Sequence, residues 1–300
     1  MHHTDLILTL AGCLGAALVC GYLTQRLGLS PIVGYLLAGV LVGPNTPGFV
    51  ANQDLANDLA EVGVILLMFG VGLHFSLDDL LSVRTIAISG ALAQAALVIP
   101  LAMLFAWAEG WTFGAGFIFG LALSVASTVV LLRLLQERRL LDTERGRITV
   151  GWLIVQDLAM VLALVMLPPL AGVLKGVVHG LEDPAQLFEQ LAITIGKIAA
   201  FVLVMLVVGK KLIPALLHYV AHTGSRELFR LAVLAVALGM AYIASELFGA
   251  SLALGAFFAG MLLSESRLSQ QAATESLPLR DAFAVLFFVS VGMLFNPMIL

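Results

Sequence analysis

Charge is scarce in this chain. Only 11% of its 300 residues are Asp, Glu, Lys or Arg, 61% are hydrophobic, and the mean hydropathy is +1.06. A soluble domain carries about 25% charged and about 45–50% apolar residues, so a soluble globular protein is excluded and a polytopic membrane protein is implied. Cysteine is almost missing. Cys13 and Cys20 share the first apolar run, which leaves neither a disulfide framework nor a thiolate metal site. Residues 1–10 hold no Lys or Arg, so the amino terminus lacks the basic region of a secretory signal. His74, His179, His218 and His222 lie in or near loops at no metal-ligand spacing, and no metal centre is expected. Gly114-Ala-Gly116 lacks the third glycine of a dinucleotide fingerprint and follows no strand. Ser251 has no nucleophile elbow around it and no histidine within an apolar span, which argues against an intramembrane serine hydrolase. No nucleic-acid partner is expected.

What the chain does have is apolar length. Ten apolar spans are predicted at about 5–24, 31–43, 57–75, 84–107, 113–135, 148–170, 190–213, 228–247, 249–264 and 282–299. The second and ninth are short for a straight crossing. Of the 15 Lys and Arg residues, 13 fall in alternate loops; Lys175 and Lys197 alone lie on the other side. The positive-inside rule then puts the basic loops in the cytoplasm and the amino terminus outside.

The sequence also repeats itself. Gly28, Ser30, Gly34, Ala38, Gly39 and Leu41 align with Gly249, Ser251, Gly255, Ala259, Gly260 and Leu262, and Val71-Gly72 and Phe75 align with Val291-Gly292 and Phe295. Spans one to three therefore match spans eight to ten. Partners are seven spans apart, an odd number, so the copies are expected to run in opposite directions, as in many secondary transporters. This gives a first six-helix repeat over 1–171, a linker and connecting helix over 172–225, and three helices of an incomplete second repeat over 226–300. Carrying the first copy through predicts three further helices beyond Leu300.

One stretch concentrates the chemistry. Gln156 and Asp157 interrupt the apolar run Val150–Leu164. At about 1.5 Å per residue, Asp157 lies roughly 15 Å beyond Arg147, near the midplane of a bilayer core about 30 Å thick. An ionisable group at that depth costs at least about 2.5 kcal/mol and marks a functional site by default. Removal from water favours the neutral acid, whereas a bound cation favours the carboxylate. Asp157 can therefore hold a proton or a monovalent cation in turn, and Gln156 can add a neutral carbonyl oxygen. Ser124, Ser127 and Thr128 fall at mid-depth of span five. Hydroxyls there either bond back within an intact helix or satisfy backbone groups where a helix is broken. Glu61, near an outer helix end, is a candidate for cation access.

Taken together, these residues resemble a known family. Ser30-Pro-Ile-Val-Gly-Tyr-Leu-Leu-Ala-Gly39, Val42-Gly-Pro44, Leu66-Leu-Met-Phe-Gly-Val-Gly-Leu73, Ser127-Thr128, Gln136-Glu-Arg138, Gln156-Asp157, Leu254-Gly-Ala-Phe-Phe-Ala-Gly260 and Phe287-Phe-Val-Ser-Val-Gly292 are similar to the membrane domain of Kef-type and YbaL-type cation/proton antiporters, nearest the YbaL-like branch. The resemblance implies an all-α inverted-repeat antiporter fold with broken helices, here truncated in its second repeat. It further implies a homodimer in a bacterial inner membrane, elevator-type movement, and exchange of a monovalent cation for protons. K⁺ is favoured over Na⁺ by the resemblance alone. Asp157 is implied as the shared site with Gln156 beside it, and Ser127-Thr128 as a break crossing a second broken helix. The family's nucleotide-binding regulatory domain is implied downstream, with no cofactor expected in this chain. A gated cation channel or an organic-anion symporter on the same scaffold are the rival readings.

Overall fold

Interrupted apolar stretches of this length fold as helices because a helix satisfies its own backbone groups where water is absent. The computed structural model describes residues 2–47, 49–174, 184–264, 266 and 268–296. Lys175, His179, Arg267 and residues 297–300 lie outside them. Among the described residues there are twelve α-helices and no strand: α1 (His2–Arg26), α2 (Pro31–Val42), α3 (Gln53–Gly72), α4 (Leu77–Ala108), α5 (Phe113–Ser124), α6 (Thr128–Glu137), α7 (Glu144–Leu174), α8 (Pro184–Val204), α9 (Lys210–Ala221), α10 (Arg226–Phe248), α11 (Leu252–Ser264) and α12 (Ser269–Met293). A π-helical turn, Met205–Gly209, joins α8 to α9 without a loop. Among the described residues, six helical stretches are long and apolar enough to cross a membrane, and α2 and α11 are shorter apolar helices. Large apolar side chains such as Ile7, Leu18, Trp107 and Phe113 face outward, as they would toward lipid.

Helix ends reach past the apolar runs because polar first turns cap them. Ser76 and Asp79 form a capping box that starts α4 at Leu77, ahead of the apolar sequence. Asn52 caps α3 through the Leu55 amide in the same way. The largest correction concerns Arg280. It was expected in a loop before span ten, yet it sits inside α12, only 8% exposed, with its side chain against Gly70. The Asp281 carboxylate accepts its Nε and Nη2 hydrogens, which allows a guanidinium to be buried there.

Six helices form a frame in which α12 packs on α3 and α2, α11 on α3, α1 on α2, and α10 on α11. The close approaches rest on glycine. A Cβ on Gly39 would come 2.7 Å from Gly292 Cα, and one on Gly260 would come 3.1 Å from Gly72 Cα. These two crossings, α2 on α12 and α11 on α3, exchange when Gly39 is aligned with Gly260 and, in a register shifted by one residue, Gly72 with Gly292. In that same register Gly63 aligns with Phe283, and these two meet directly between α3 and α12, where a Cβ on Gly63 would lie 2.6 Å from the Phe283 carbonyl carbon. The turns match as well. Gly28 at φ 77° and Gly249 at φ 68° close α1 and α10 in the left-handed conformation that glycine tolerates. Ser30 and Ser251 then receive the Ile32 and Leu254 amides at the starts of α2 and α11.

The remaining helices of the first half make an arm. α4 packs on both α5 and α7, with the Trp152 ring set over Gly90, and α3 against α6 is the principal helix pairing between arm and frame.

Candidate functional site

The fifth span is not one helix. α5 ends at Ser124, Val125 is extended at φ −96°, ψ 117°, and Ser127 is extended at φ −69°, ψ 110° before α6 begins at Thr128. An interruption leaves carbonyls free at the end of α5 and amides free at the start of α6. Side chains meet them. The Ser124 hydroxyl donates to the Leu121 carbonyl at 2.8 Å, and Ser127 Oγ accepts from the Val130 amide at 3.4 Å. Gln156, buried on α7, spans the gap: its Nε2 donates to the Ser124 carbonyl at 3.2 Å and its Oε1 accepts from the Ala126 amide at 3.3 Å. Gln94 of α4 donates to the same Ser124 carbonyl at 3.0 Å.

Asp157 lies one residue on and faces the other way. The Thr128 hydroxyl is 3.4 Å from both Asp157 carboxylate oxygens. Thr128 is the first residue of α6, so the carboxylate sits at a helix amino terminus, whose partial positive charge favours an anion. Among the described residues no group of three or more metal-ligating side chains exists, and no Lys or Arg hydrogen bond or ion pair reaches Asp157. Its cleft is about 10 Å³, the size of one water, and is walled by Met68 of α3 and Ala253, Leu254 and Phe257 of α11. The acid therefore lies where arm meets frame.

Two larger clefts flank this seam. One, of about 440 Å³, holds Glu61, Asn57, Ser251 and Ser290, and shares Ala253 with the Asp157 cleft. Glu61 is exposed there, and the Ser290 hydroxyl donates to Asn57 Oδ1 nearby. The other, of about 570 Å³, lies between α6, α12 and the turn after α3 and holds His74, Arg133, Glu137, Arg280 and Asp281. There Arg133 of α6 contacts Asp281 of α12 at 3.4 Å, bridging arm and frame. Glu61 and Asp281 align in the same register as Gly72 and Gly292.

The sequence placed Ser124, Ser127, Thr128, Gln156 and Asp157 at one site, and all five meet at the break. Glu61 is separate, one cleft away. Gln156 was expected to offer its oxygen to a cation, but here that oxygen is taken by Ala126. Arg133, counted among the basic residues that set the topology, lies in α6 and forms an ion pair. Gln94 was missed, although a lone amide in the middle of the apolar α4 interrupts its run as Gln156 does in α7.

Helices of this length, apolar surface and packing define a polytopic integral membrane protein. The chain belongs to the sodium/hydrogen exchanger family: residues 14–300 match the transmembrane model of that family. It is a transporter family, and the chain is not an enzyme. It is 60% identical over 301 residues to YbaL of Escherichia coli K12, itself named only as a candidate cation/proton antiporter, across 100% of this chain and 53% of that protein. An uncharacterised protein from the phaC 3′ region of Methylorubrum extorquens is 58% identical over 274 residues, which is 89% of this chain and 99% of that protein. K(+) efflux antiporter 4 of Arabidopsis thaliana is 37% identical over 297 residues, 98% of this chain and 48% of the plant protein. The chain thus spans about half the length of YbaL and of the plant antiporter.

Proposed function

We propose that this chain forms the membrane-embedded exchange unit of a monovalent cation/proton antiporter, with Asp157 binding cation and proton in turn. The observation that carries this reading is the placement of the carboxylate. It sits at the amino terminus of a half-helix, takes one hydroxyl hydrogen bond from Thr128, and borders the seam between arm and frame. With no cationic side chain beside it among the described residues, the acid is neutralised by either a proton or a bound cation, and competition between the two gives one-for-one exchange. Ser124, Ser127 and Gln156 hold the break open so that Thr128 stays aimed at Asp157.

Exchanged glycine crossings support an inverted repeat, with 1–171 and 226–300 as its two copies and 172–225 between them. A cleft no larger than one water at Asp157 favours alternating access over a continuous pore. In this scheme the arm slides on the frame, Glu61 guides cations on one side, and the ion pair between Arg133 and Asp281 closes the other. K⁺ is the favoured cation, in keeping with the name of the plant relative. The basic loops face the cytoplasm, the amino terminus faces outward, and two chains associate through their frames in a bacterial inner membrane.

Asp157→Asn tests the reading in vesicles holding the full-length protein. The amide keeps the shape and cannot titrate, so cation-driven proton movement is expected to vanish while insertion is retained. Exchange at the unmodified rate in well-inserted Asp157→Asn protein refutes the assignment.

A further inference from the structure

Gln94 is flanked by Leu92, Ala93, Ala95 and Ala96 in the middle of α4, and its side chain has one described partner, the Ser124 carbonyl. That oxygen is the last of α5 and has lost its helical partner to the interruption. It accepts two amide hydrogens, from Gln94 Nε2 at 3.0 Å and from Gln156 Nε2 at 3.2 Å. A carbonyl has two lone pairs, so both bonds stand together, but one partner suffices to satisfy a buried oxygen. One of the two donors is therefore surplus for closing the helix end.

Gln156 is the donor with another use. It neighbours Asp157 in sequence, and on the side away from Asp157 it borders an apolar cleft of about 190 Å³ between α4, α5 and α7, so its side chain is not packed in on that side. In the arrangement seen, Gln156 Oε1 is held by the Ala126 amide and is not offered to an ion. Were Gln156 alone at the break, turning toward Asp157 would orphan the Ser124 carbonyl and the Ala126 N–H together. With Gln94 in place the carbonyl keeps a partner, and only the N–H is exposed.

We propose that Gln94 is a positioning residue for cation binding: it holds the Ser124 carbonyl so that the Gln156 amide is free to swing its oxygen onto a cation at Asp157. The inference rests on Asp157 being the exchange site. Gln94 itself touches neither ion. It acts through Gln156, so its removal weakens cation binding without altering the titrating acid.

The test uses the full-length protein in vesicles, with cation-driven proton movement measured across a range of K⁺ and of Na⁺ concentrations. Gln94→Met keeps the volume and flexibility of the side chain and removes the donor. Loss of one buried hydrogen bond predicts an apparent cation KM raised roughly tenfold, with the maximal rate within about twofold. The pair Gln94→Met/Gln156→Ala is expected to raise KM no further than Gln156→Ala alone. A lowered maximal rate with an unmoved KM overturns the proposal, because that is what a residue merely holding helices together would give. Additive effects in the pair overturn it too. Gln94→Leu is the second variant; failure of both to fold also refutes the idea, since a surplus donor is not required for folding. Asp157→Asn run alongside separates the two readings. An active Asp157→Asn protein removes the site itself, whereas an inactive one together with an unmoved KM in Gln94→Met removes only the role of Gln94.

Discussion

The frame and the arm solve the problem of packing helices in hydrocarbon in opposite ways. In the frame, α2 meets α12 and α11 meets α3 at paired glycines, and the helices approach so closely that no side chain fits between them. In the arm, α5 and α6 are separated by a stretch of extended backbone whose free groups are met by Gln94, Gln156, Ser124 and Ser127. The frame is fixed by what is missing from its surfaces. The break is fixed by hydrogen bonds that can be exchanged one at a time. Movement at low cost is therefore expected in the arm and at the seam, and the carboxylate lies on that seam.

The sharpest way to break this contrast is at the acid. Asp157→Asn should reduce exchange by more than roughly a hundredfold, because an intramembrane ionisable group is retained for its chemistry rather than its packing. Thermal unfolding of the purified protein should be nearly unchanged, which keeps loss of function apart from loss of fold.

A second test addresses the frame. Gly39→Val and Gly260→Val each drive new atoms into the backbone of the facing helix, so each should destabilise by about 1–3 kcal/mol or more. Gly239→Ala provides the control. A Cβ there meets nothing within 4 Å, and replacing a mid-helix glycine should leave stability unchanged or raise it by up to about 1 kcal/mol. Equal yields of folded protein from Gly39→Val and Gly239→Ala would show that the glycine crossings are not what holds the frame.

Gln156→Ala follows in size. It leaves the Ala126 amide without an acceptor and removes the amide oxygen, and the apparent cation KM should rise about tenfold. Proton movement measured against cation concentration reads this directly. The smallest effect is expected at the ion pair between arm and frame. Arg133 and Asp281 are partly exposed, so a double-mutant cycle with alanine at each should yield a coupling of no more than about 1 kcal/mol, falling as salt is added. A coupling several times larger would make this contact a principal tie between the two parts.

Much of this was legible from residue types alone. A carboxyl and an amide in the middle of an apolar span, three hydroxyls clustered in the span before it, and glycines recurring in a shared order each have few explanations in hydrocarbon. Helix starts were less legible, because Ser76, Asp78 and Asp79 read as a loop although they form the first turn of α4. Arg280 misled for a related reason: an arginine before an apolar run resembles a loop residue, and only the packing of α12 on Gly70 reveals that it is buried. The orientation of Gln156 depends on where the Ser124 carbonyl and the Ala126 amide point, which no spacing encodes. Gln94 depends on the same two groups, so its partner was hidden even though its isolation was not.

The π-helical turn between α8 and α9 bears on the phase of the longest continuous helical segment. Phe201, Met205, Gly209, Ile213 and Leu217 are all buried, and each lies four positions after the one before. An α-helix turns about 100° per residue, so a step of four overshoots a full circle by about 40°, and sixteen residues would carry the buried row about 160° around the axis. Leu217 would then point away from the side that buries Phe201. The wider turn at Met205–Gly209 takes up one extra residue locally, which reduces that drift to about 60° and keeps the five positions on one flank. A stripe with a period of four is thus brought into step with a helix whose own period is shorter. Removing Val207, which is exposed within that turn, should leave Ile213 and Leu217 facing the core, whereas removing a residue from the regular helix α10 would rotate everything after it by about 100°.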